Sequence, residues 1–259
     1  MNKVTHRKAK NSMDSRNHVE NKEELKKAAA LASVKYIRDG MTLGLGTGST
    51  AYYLIQEVGA MVRAGRTLQA AVTSEATEKL AVSLGIPIIR PEAGIKVDLA
   101  IDGVDEIDDS FCAVKGGGGA LLREKVVARR AEQVIWIMDE SKLVKRLGTF
   151  PFPAEVLPFG SAWAAEAVKG LGGTAACRQR DGRPFVTDNG NWILDISFSE
   201  IIDFLTAAKA VRGIPGVLET GLFDKFCDRI IVGTKEGVRE RRNPFKTSGN
   251  SEMHGAKAE

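Results

Sequence analysis

The chain has 259 residues, 43% of them hydrophobic and 27% charged, which suits one large or two modest globular domains with a real core. No apolar run approaches the roughly 18 residues of a membrane helix, so no membrane span is expected. The formal charge of +4 resides in residues 1–22, where Lys3, Arg7, Lys8, Lys10, Arg16 and Lys22 face only Asp14 and Glu20; the neutral remainder argues against a nucleic-acid partner.

Residues 1–22 read as a disordered basic arm without a secretory apolar core, with Met13 as an alternative start. Leu25, Ala29, Ala32, Tyr36 and Ile37 then recur at helical spacing over Glu23–Arg38. Strands follow at Thr42–Leu45, Gln69–Val72, Pro87–Ile89, Val97–Ile101 and Gln133–Met138, with helices over Thr50–Arg63, Ser74–Leu84 and from Ala120. This alternation predicts an α/β fold, a mostly parallel sheet covered on both faces.

After Gly148 the rhythm changes. Phe150-Pro151-Phe152-Pro153 reads as a stiff linker, followed by a strand at Glu155–Leu157, a helix over Ser161–Leu171 and a strand at Thr174–Arg178. Asn189-Gly190 suggests a hairpin joining Phe185–Thr187 to Trp192–Ile196. A helix over Glu200–Arg212 and strands at Val217–Gly221 and Arg229–Gly233 complete the body. The expected organisation is a catalytic domain over 23–148 and 219–238, an inserted small α+β domain over 149–218, and a flexible tail over 239–259.

Cys112, Cys177 and Cys227 form no CxxC pair, and with no signal peptide they point to a reducing, cytoplasmic setting. His6, His18 and His254 all fall in the expected tails. Histidine triads and His-rich zinc sites are therefore disfavoured, and no metal or cofactor is expected. Chemistry falls to carboxylates, lysines, hydroxyls and backbone amides.

Four segments follow predicted strands of one sheet and should share its rim. Gly44-Leu45-Gly46-Thr47-Gly48-Ser49-Thr50 offers converging N–H groups and hydroxyls, suited to a phosphate; a dinucleotide turn or a plain tight turn stays open. Its GxGxxG register puts Ser49 where a third glycine belongs, and no lysine precedes the Ser/Thr as a P-loop needs. Asp102 and Asp105 emerge from a strand end, as ligand groups or as Asx-turns and a helix cap. Gly116 to Gly119 after Lys115 are entropically costly and invite a ligand against bare backbone. Glu124 follows at a helix start, where the dipole favours a carboxylate even without function. Lys142 is either an anion contact or a surface lysine. Together they suit proton transfer beside a carbonyl on a phosphorylated polyol.

The sequence resembles the type A ribose-5-phosphate isomerases over about Glu23 to Val238. The likeness rests on Gly-x-Gly-Thr-Gly-Ser-Thr at 44–50, Asp-Gly-x-Asp-Glu at 102–106, Lys-Gly-Gly-Gly at 115–118, Arg123-Glu124-Lys125, Ser141-Lys142, the Phe150–Val156 stretch and Thr187-Asp188-Asn189-Gly190-Asn191. Val104, Gly119 and Leu122 are mild departures, and the Ser74–Thr77 segment is slightly short. The resemblance implies a Rossmann-like large domain, a ferredoxin-like small one and a homodimer or homotetramer. It implies Glu124 as catalytic base, with Asp102, Asp105 and Lys115 beside it. Substrate contacts would come from Lys26, Thr47, Gly48, Ser49, Thr50, Gly103, Val104, Gly116, Gly117, Gly118 and Lys142. The reaction would interconvert ribose 5-phosphate and ribulose 5-phosphate through a cis-enediolate. Desolvation should raise the pKa of Glu124. A sugar-phosphate sensor would want a DNA reader and no Glu124. A dehydrogenase would want an intact GxGxxG, and a coenzyme A transferase a separate glutamate nucleophile.

Overall fold

Short apolar runs become strands here, and the amphipathic stretches between them become helices that cover the strands. The computed structural model describes residues 21–198 and 203–246. In chain order, the first half comprises α1 (21–33), β1 (Thr42–Leu45), α2 (Ser49–Arg63), β2 (Gln69–Val72), α3 (Glu75–Ser83) and β3 (Val97–Asp102). There follow β4 (Glu106–Ile107), β5 (Cys112–Val114), α4 (Leu121–Arg130) and β6 (Ala131–Asp139). The chain returns late with β13 (Leu222–Asp224), β14 (Arg229–Thr234) and β15 (Gly237–Arg242).

The main sheet runs β15-β14-β6-β3-β1-β2, parallel except for the β14–β15 pair. Strand side chains alternate between its two covers. Leu99 and Ile101 join Leu43, Leu54 and Ile137 on one face, while Ala100 joins Val127, Trp136 and Ile230 on the other. β1 pairs with β2 on one side and β3 on the other. Chain order reverses there, and the crevice past the strand ends is where such sheets receive ligands. The loops after β1 and β3 both open into it.

A second unit follows the order β7 (Phe152–Val156), α5 (Ser161–Gly170), β8 (Gly173–Cys177), β11 (Trp192–Phe198), α6 (Phe204–Arg212) and β12 (Val217–Thr220). Its antiparallel sheet runs β12-β7-β11-β8, the split βαβ pattern of ferredoxin-like folds. Phe152, Ala154, Leu194 and Ile196 pack there against Val168 of α5 and Val211 of α6. Two short strands, β9 (Gln179–Arg180) and β10 (Arg183–Pro184), form a ribbon beside it. A three-stranded sheet, β13-β5-β4, was not anticipated; β4 and β5 fall between β3 and α4, and β13 between β12 and β14, so the Lys115–Gly119 segment follows a strand of this sheet and not of the main one.

Several expectations need correction. The Phe150–Pro153 linker is partly strand, since β7 begins at Phe152 and the Pro153 carbonyl accepts from Gly221 N–H at 2.7 Å. Phe185–Thr187 does not pair as a hairpin arm; β11 lies between β7 and β8 instead. The Asn189-Gly190 turn does form, with Thr187 N–H donating to Asn191 O at 2.8 Å. Pro87–Ile89 supplies only a bridge from Ile88 to Ala70. The expected boundary at 218 falls inside β12.

The tail expected from residue 239 is wrong at its start, because β15 carries six register pairs with β14. An edge strand needs backbone partners more than apolar side chains, and charges protect it from further pairing. Glu240 also ties it down, meeting Lys35, the Tyr36 hydroxyl at 2.6 Å and Arg229 at 3.4 Å. Lys22, assigned to the arm, is helical. His6, His18, Met13, His254 and the first residues of the helix expected from Glu200 lie outside the described residues.

Candidate active site

The loop after β1 turns at Gly46 and Gly48. A Cβ on Gly46 would stand 1.9 Å from Asp102 Oδ1, so the bare backbone is what lets Asp102 close against this loop. Gly48 adopts φ +107°, a conformation that suits glycine, and α2 starts at the next residue. Gly48 and Ser49 are exposed, and the N–H groups of the first helical turn have no carbonyl partner within the helix. Lys26 of α1 reaches the Ser49 hydroxyl at 2.9 Å and Glu23 at 2.6 Å. The Lys26 hydrogen bond holds the Glu23 carboxyl below its ordinary range, against the opposing effect of burial.

Thr47 plays a different part from its neighbours. Its hydroxyl is shared with Thr73 at 2.7 Å and Ser74 at 2.8 Å, and Thr77 donates to Gly46 O at 2.8 Å. This hydroxyl cluster fixes the loop on the N-terminus of α3.

The end of β3, the turn after β5 and the first turn of α4 carry the charged centre. Asp102, Lys115 and Glu124 are only 4%, 2% and 5% exposed. The Lys115 ammonium lies 2.9 Å from Asp102 Oδ2 and 3.1 Å from Glu124 Oε2, and it donates to Gly103 O at 2.6 Å. It also sits over the Trp136 ring at 5.1 Å, which favours a cation. Asp102 Oδ1 accepts from Thr47 N–H at 3.0 Å and Gly103 N–H at 2.7 Å. Asp105 Oδ2 accepts from Gly117 N–H at 2.7 Å. One loop therefore holds the other.

Burial drives the titration of this group. It raises the Glu124 carboxyl to about 8, with Lys115 pulling down and Asp102 and Asp105 pushing up. Burial likewise raises Asp102 against the pull of Lys115. For Lys115 burial favours the neutral amine, but the charges of Asp102 and Glu124 outweigh it and keep the ammonium above its ordinary range. Glu124 Oε2 is sealed from water and makes no hydrogen bond, because the Lys115 contact is close without being aligned. A carboxylate so placed is poised to accept a proton.

Comparison with known proteins bears on this constellation. The sequence model described as ribose 5-phosphate isomerase A (phosphoriboisomerase A) matches residues 69–237. Ribose-5-phosphate isomerase A of Bacillus mycoides is 46% identical over 217 residues, 83% of this chain and 98% of that relative. The chain belongs to the ribose 5-phosphate isomerase A family. Among solved structures, ribose 5-phosphate isomerase A of Methanocaldococcus jannaschii superposes with a TM-score of 0.80 at 40% identity, covering 85% of this chain and 99% of that one. A D-ribose-5-phosphate isomerase in complex with phospho-erythronic acid gives 0.82 at 38% identity, with 85% and 99% covered.

Within this isomerase-family fold, the structure brings Asp102, Lys115, Glu124, Gly103 and Thr47 into one bonded group, with Asp105 bonded to Gly117 and Lys26 to Ser49 as separate pairs. Gly118 is exposed, and a Cβ there would meet Thr47 Cγ2 at 3.7 Å, so the two glycine turns face each other. A Cβ on Gly103 would likewise meet Thr50 Cβ at 3.9 Å. Gly116 is covered by Leu121. Val104 buries its side chain in the core, leaving only its backbone for a ligand. Lys142 stands half-buried in the turn after β6, outside the hydrogen bonds that tie the others. Among the described residues, no cluster of three or more His, Cys, Asp or Glu could hold a metal ion.

Sequence reasoning missed Arg178. Its Nη1 donates to Gly116 O at 2.8 Å and Gly117 O at 3.0 Å, across 62 and 61 positions of sequence. Phe185 was also missed as a site neighbour; a Cβ on Gly119 would stand 2.4 Å from its ring. Neither carries a local motif that marks it.

Proposed function

We propose that this site interconverts D-ribose 5-phosphate and D-ribulose 5-phosphate, with Glu124 as the single base. The open-chain aldose loses its carbon 2 proton to the Glu124 carboxylate, giving a cis-enediolate. The same carboxyl returns that proton to carbon 1 on the same face while the hydroxyl proton passes from O2 to O1, so one group serves adjacent carbons and the ketose forms with no net gain or loss of protons. The observation that carries this reading is a buried glutamate whose Oε2 has no hydrogen bond and lies 3.1 Å from an ammonium.

Lys115 offsets the negative charge that builds on the sugar oxygens, in a water-poor site where such charge interacts strongly. Asp102 keeps Lys115 charged and placed, and Asp105 serves the hydroxyls during ring opening. The phosphate is assigned to the Gly46–Thr50 turn and the start of α2, with Lys26 adding charge. Backbone at Gly103, Val104 and Gly116 to Gly118, together with Lys142, completes the sugar contacts. Holding the phosphate orients a short substrate against Glu124.

The proposal extends to a cytoplasmic homodimer or homotetramer that needs no metal or cofactor. Its Rossmann-like catalytic unit would carry the chemistry, with the α+β unit inserted. Among the described residues no helix is long and apolar enough to cross a membrane. The test is a coupled assay of ribulose 5-phosphate formation from ribose 5-phosphate, with and without EDTA, across pH. Turnover that survives chelation, with kcat/KM rising through an acid limb near 8, is expected. Absence of turnover on ribose 5-phosphate would overturn the reading, and loss on chelation restored by a divalent ion would overturn its metal-free part.

A further inference from the structure

We infer that Arg178, contributed by the ferredoxin-like unit, is a positioning residue that sets the glycine run beside Glu124. The inference rests on the reading of the Lys115–Glu124 segment as the active site. Arg178 lies between β8 and β9. Its Nε donates to Asp195 Oδ2 at 2.9 Å and its Nη2 to Asp195 Oδ1, a two-pronged pair with a carboxylate on β11. The remaining nitrogen, Nη1, takes the carbonyls of Gly116 and Gly117. A planar guanidinium locked on one side thus presents a fixed pair of donors on the other.

The consequence follows from peptide geometry. The described peptide bonds are trans, so each carbonyl points opposite to the N–H of the next residue. Fixing Gly116 O fixes the Gly117 N–H, which is the group that holds Asp105 at 2.7 Å. Fixing Gly117 O aims the Gly118 N–H away from Arg178. That N–H has no partner within the described protein, and Gly118 is exposed beside Thr47. Arg178 therefore sets two amides at once: one positions an acidic side chain, and the other is left as a donor for a substrate oxygen.

Four glycines would otherwise sample many conformations, since nothing but backbone restrains them. Phe185 packs over Gly119, and Gly119 N–H donates to Gly116 O at 3.0 Å, so the run is clamped at several points. Arg178 is the only side chain among the described residues that donates to its carbonyls.

The test uses the full chain and ribose 5-phosphate, with Arg178→Met, Arg178→Lys, Asp195→Asn and the double variant Arg178→Met/Asp195→Asn. Circular dichroism at the assay temperature establishes the folded fraction. Arg178→Met should lower plateau kcat by about 10–100-fold at full fold. It should also move the acid limb to higher pH, because a cation is lost and Asp195 is left unpaired. The double variant restores the charge balance without the clamp, so its acid limb should return towards the parent while kcat stays low. Arg178→Lys should fall in between, and Asp195→Asn should cost a few-fold.

Parent-like kcat in folded Arg178→Met, or full turnover in the double variant, would overturn the inference. Should Arg178→Met not fold, Arg178→Lys and Asp195→Asn carry the same decision: parent-like turnover in both removes it. If Glu124→Gln is also fully active, the reading of the site fails instead, and the two failures stay distinct.

Discussion

Glu155 and Glu124 are both withdrawn from water, yet the first is laced into neutral donors while the second faces a single cation. Glu155 Oε1 accepts from Thr187 Oγ1 at 2.9 Å, Asn189 Nδ2 at 3.0 Å and Asn191 Nδ2 at 2.8 Å. Those bonds hold the turn at 187–191, whose Asp188 accepts from Glu75 N–H and whose Asn189 accepts from Arg123. Oε2 is left without a hydrogen bond in both glutamates, but Glu124 has no counterpart of the three donors on Glu155 Oε1 and meets the Lys115 ammonium instead. Donors that fix a carboxylate also hold its orientation and occupy its lone pairs. The difference teaches what each glutamate is for: one is a structural hub, and the other is kept under-solvated and reactive.

The widest separation between them should come from Glu124→Gln. Turnover should fall by about 10²–10⁴-fold while ribose 5-phosphate still binds, measured by calorimetry. Near-parent turnover would remove Glu124 from the mechanism. Gly46→Ala attacks the same region sterically. With only 1.9 Å available before Asp102 Oδ1, it should reduce kcat/KM by about 10-fold or more.

Glu155→Ala should show the opposite signature. Three donors lose their acceptor, at about 3 kcal/mol, which lowers Tm by about 6–12 °C. The kcat of the folded fraction should change by less than about 3-fold. A large kcat loss at unchanged Tm would reverse the roles drawn above.

Stability against pH sharpens the contrast. The folded-state pKa of Glu124 is about 8, above its unfolded value of 4.5, so between these the folded protein holds a proton that the unfolded chain has released. Its contribution is fully present below 4.5 and is lost as pH rises through 8. Asp102 shifts in the same direction but is shared by parent and variant. Glu124→Gln should therefore gain Tm relative to the parent as pH rises from 5 to 8, by thermal denaturation. A constant difference across that range would contradict the raised pKa. The smallest effect belongs to Gly118→Ala. The added methyl meets only Thr47 at 3.7 Å, so Tm should move by less than about 2 °C.

The glycine turns and the aspartates were legible because each lies within a few residues of a strand end, where local composition carries the signal, and Glu124 because it lies in the first turn of the helix that follows the glycine run. Arg178 was not legible. Its partners are carbonyls about sixty positions away, and a carbonyl leaves no mark on sequence. β15 was hidden for a related reason: Gly-Val-Arg-Glu-Arg-Arg has the composition of a tail, and its backbone pairing decides its fate. The prolines of Phe150–Pro153 argued for a linker. Pro153 enters β7 all the same, contributing the carbonyl that the Gly221 crossing needs. Thr47 illustrates a subtler limit, since composition cannot tell an outward hydroxyl from one spent on Thr73 and Ser74.

The pairing of Lys115 with two acids has one more consequence. An open-chain sugar brings a free aldehyde to the site, and an amine with a lone pair would condense with it to an imine. Lys115 has no lone pair to offer, because Asp102 and Glu124 keep it an ammonium. The arrangement that steadies negative charge on the substrate thereby shields the enzyme from glycation at its own centre. Any such adducts should form on exposed lysines such as Lys96, outside the pocket.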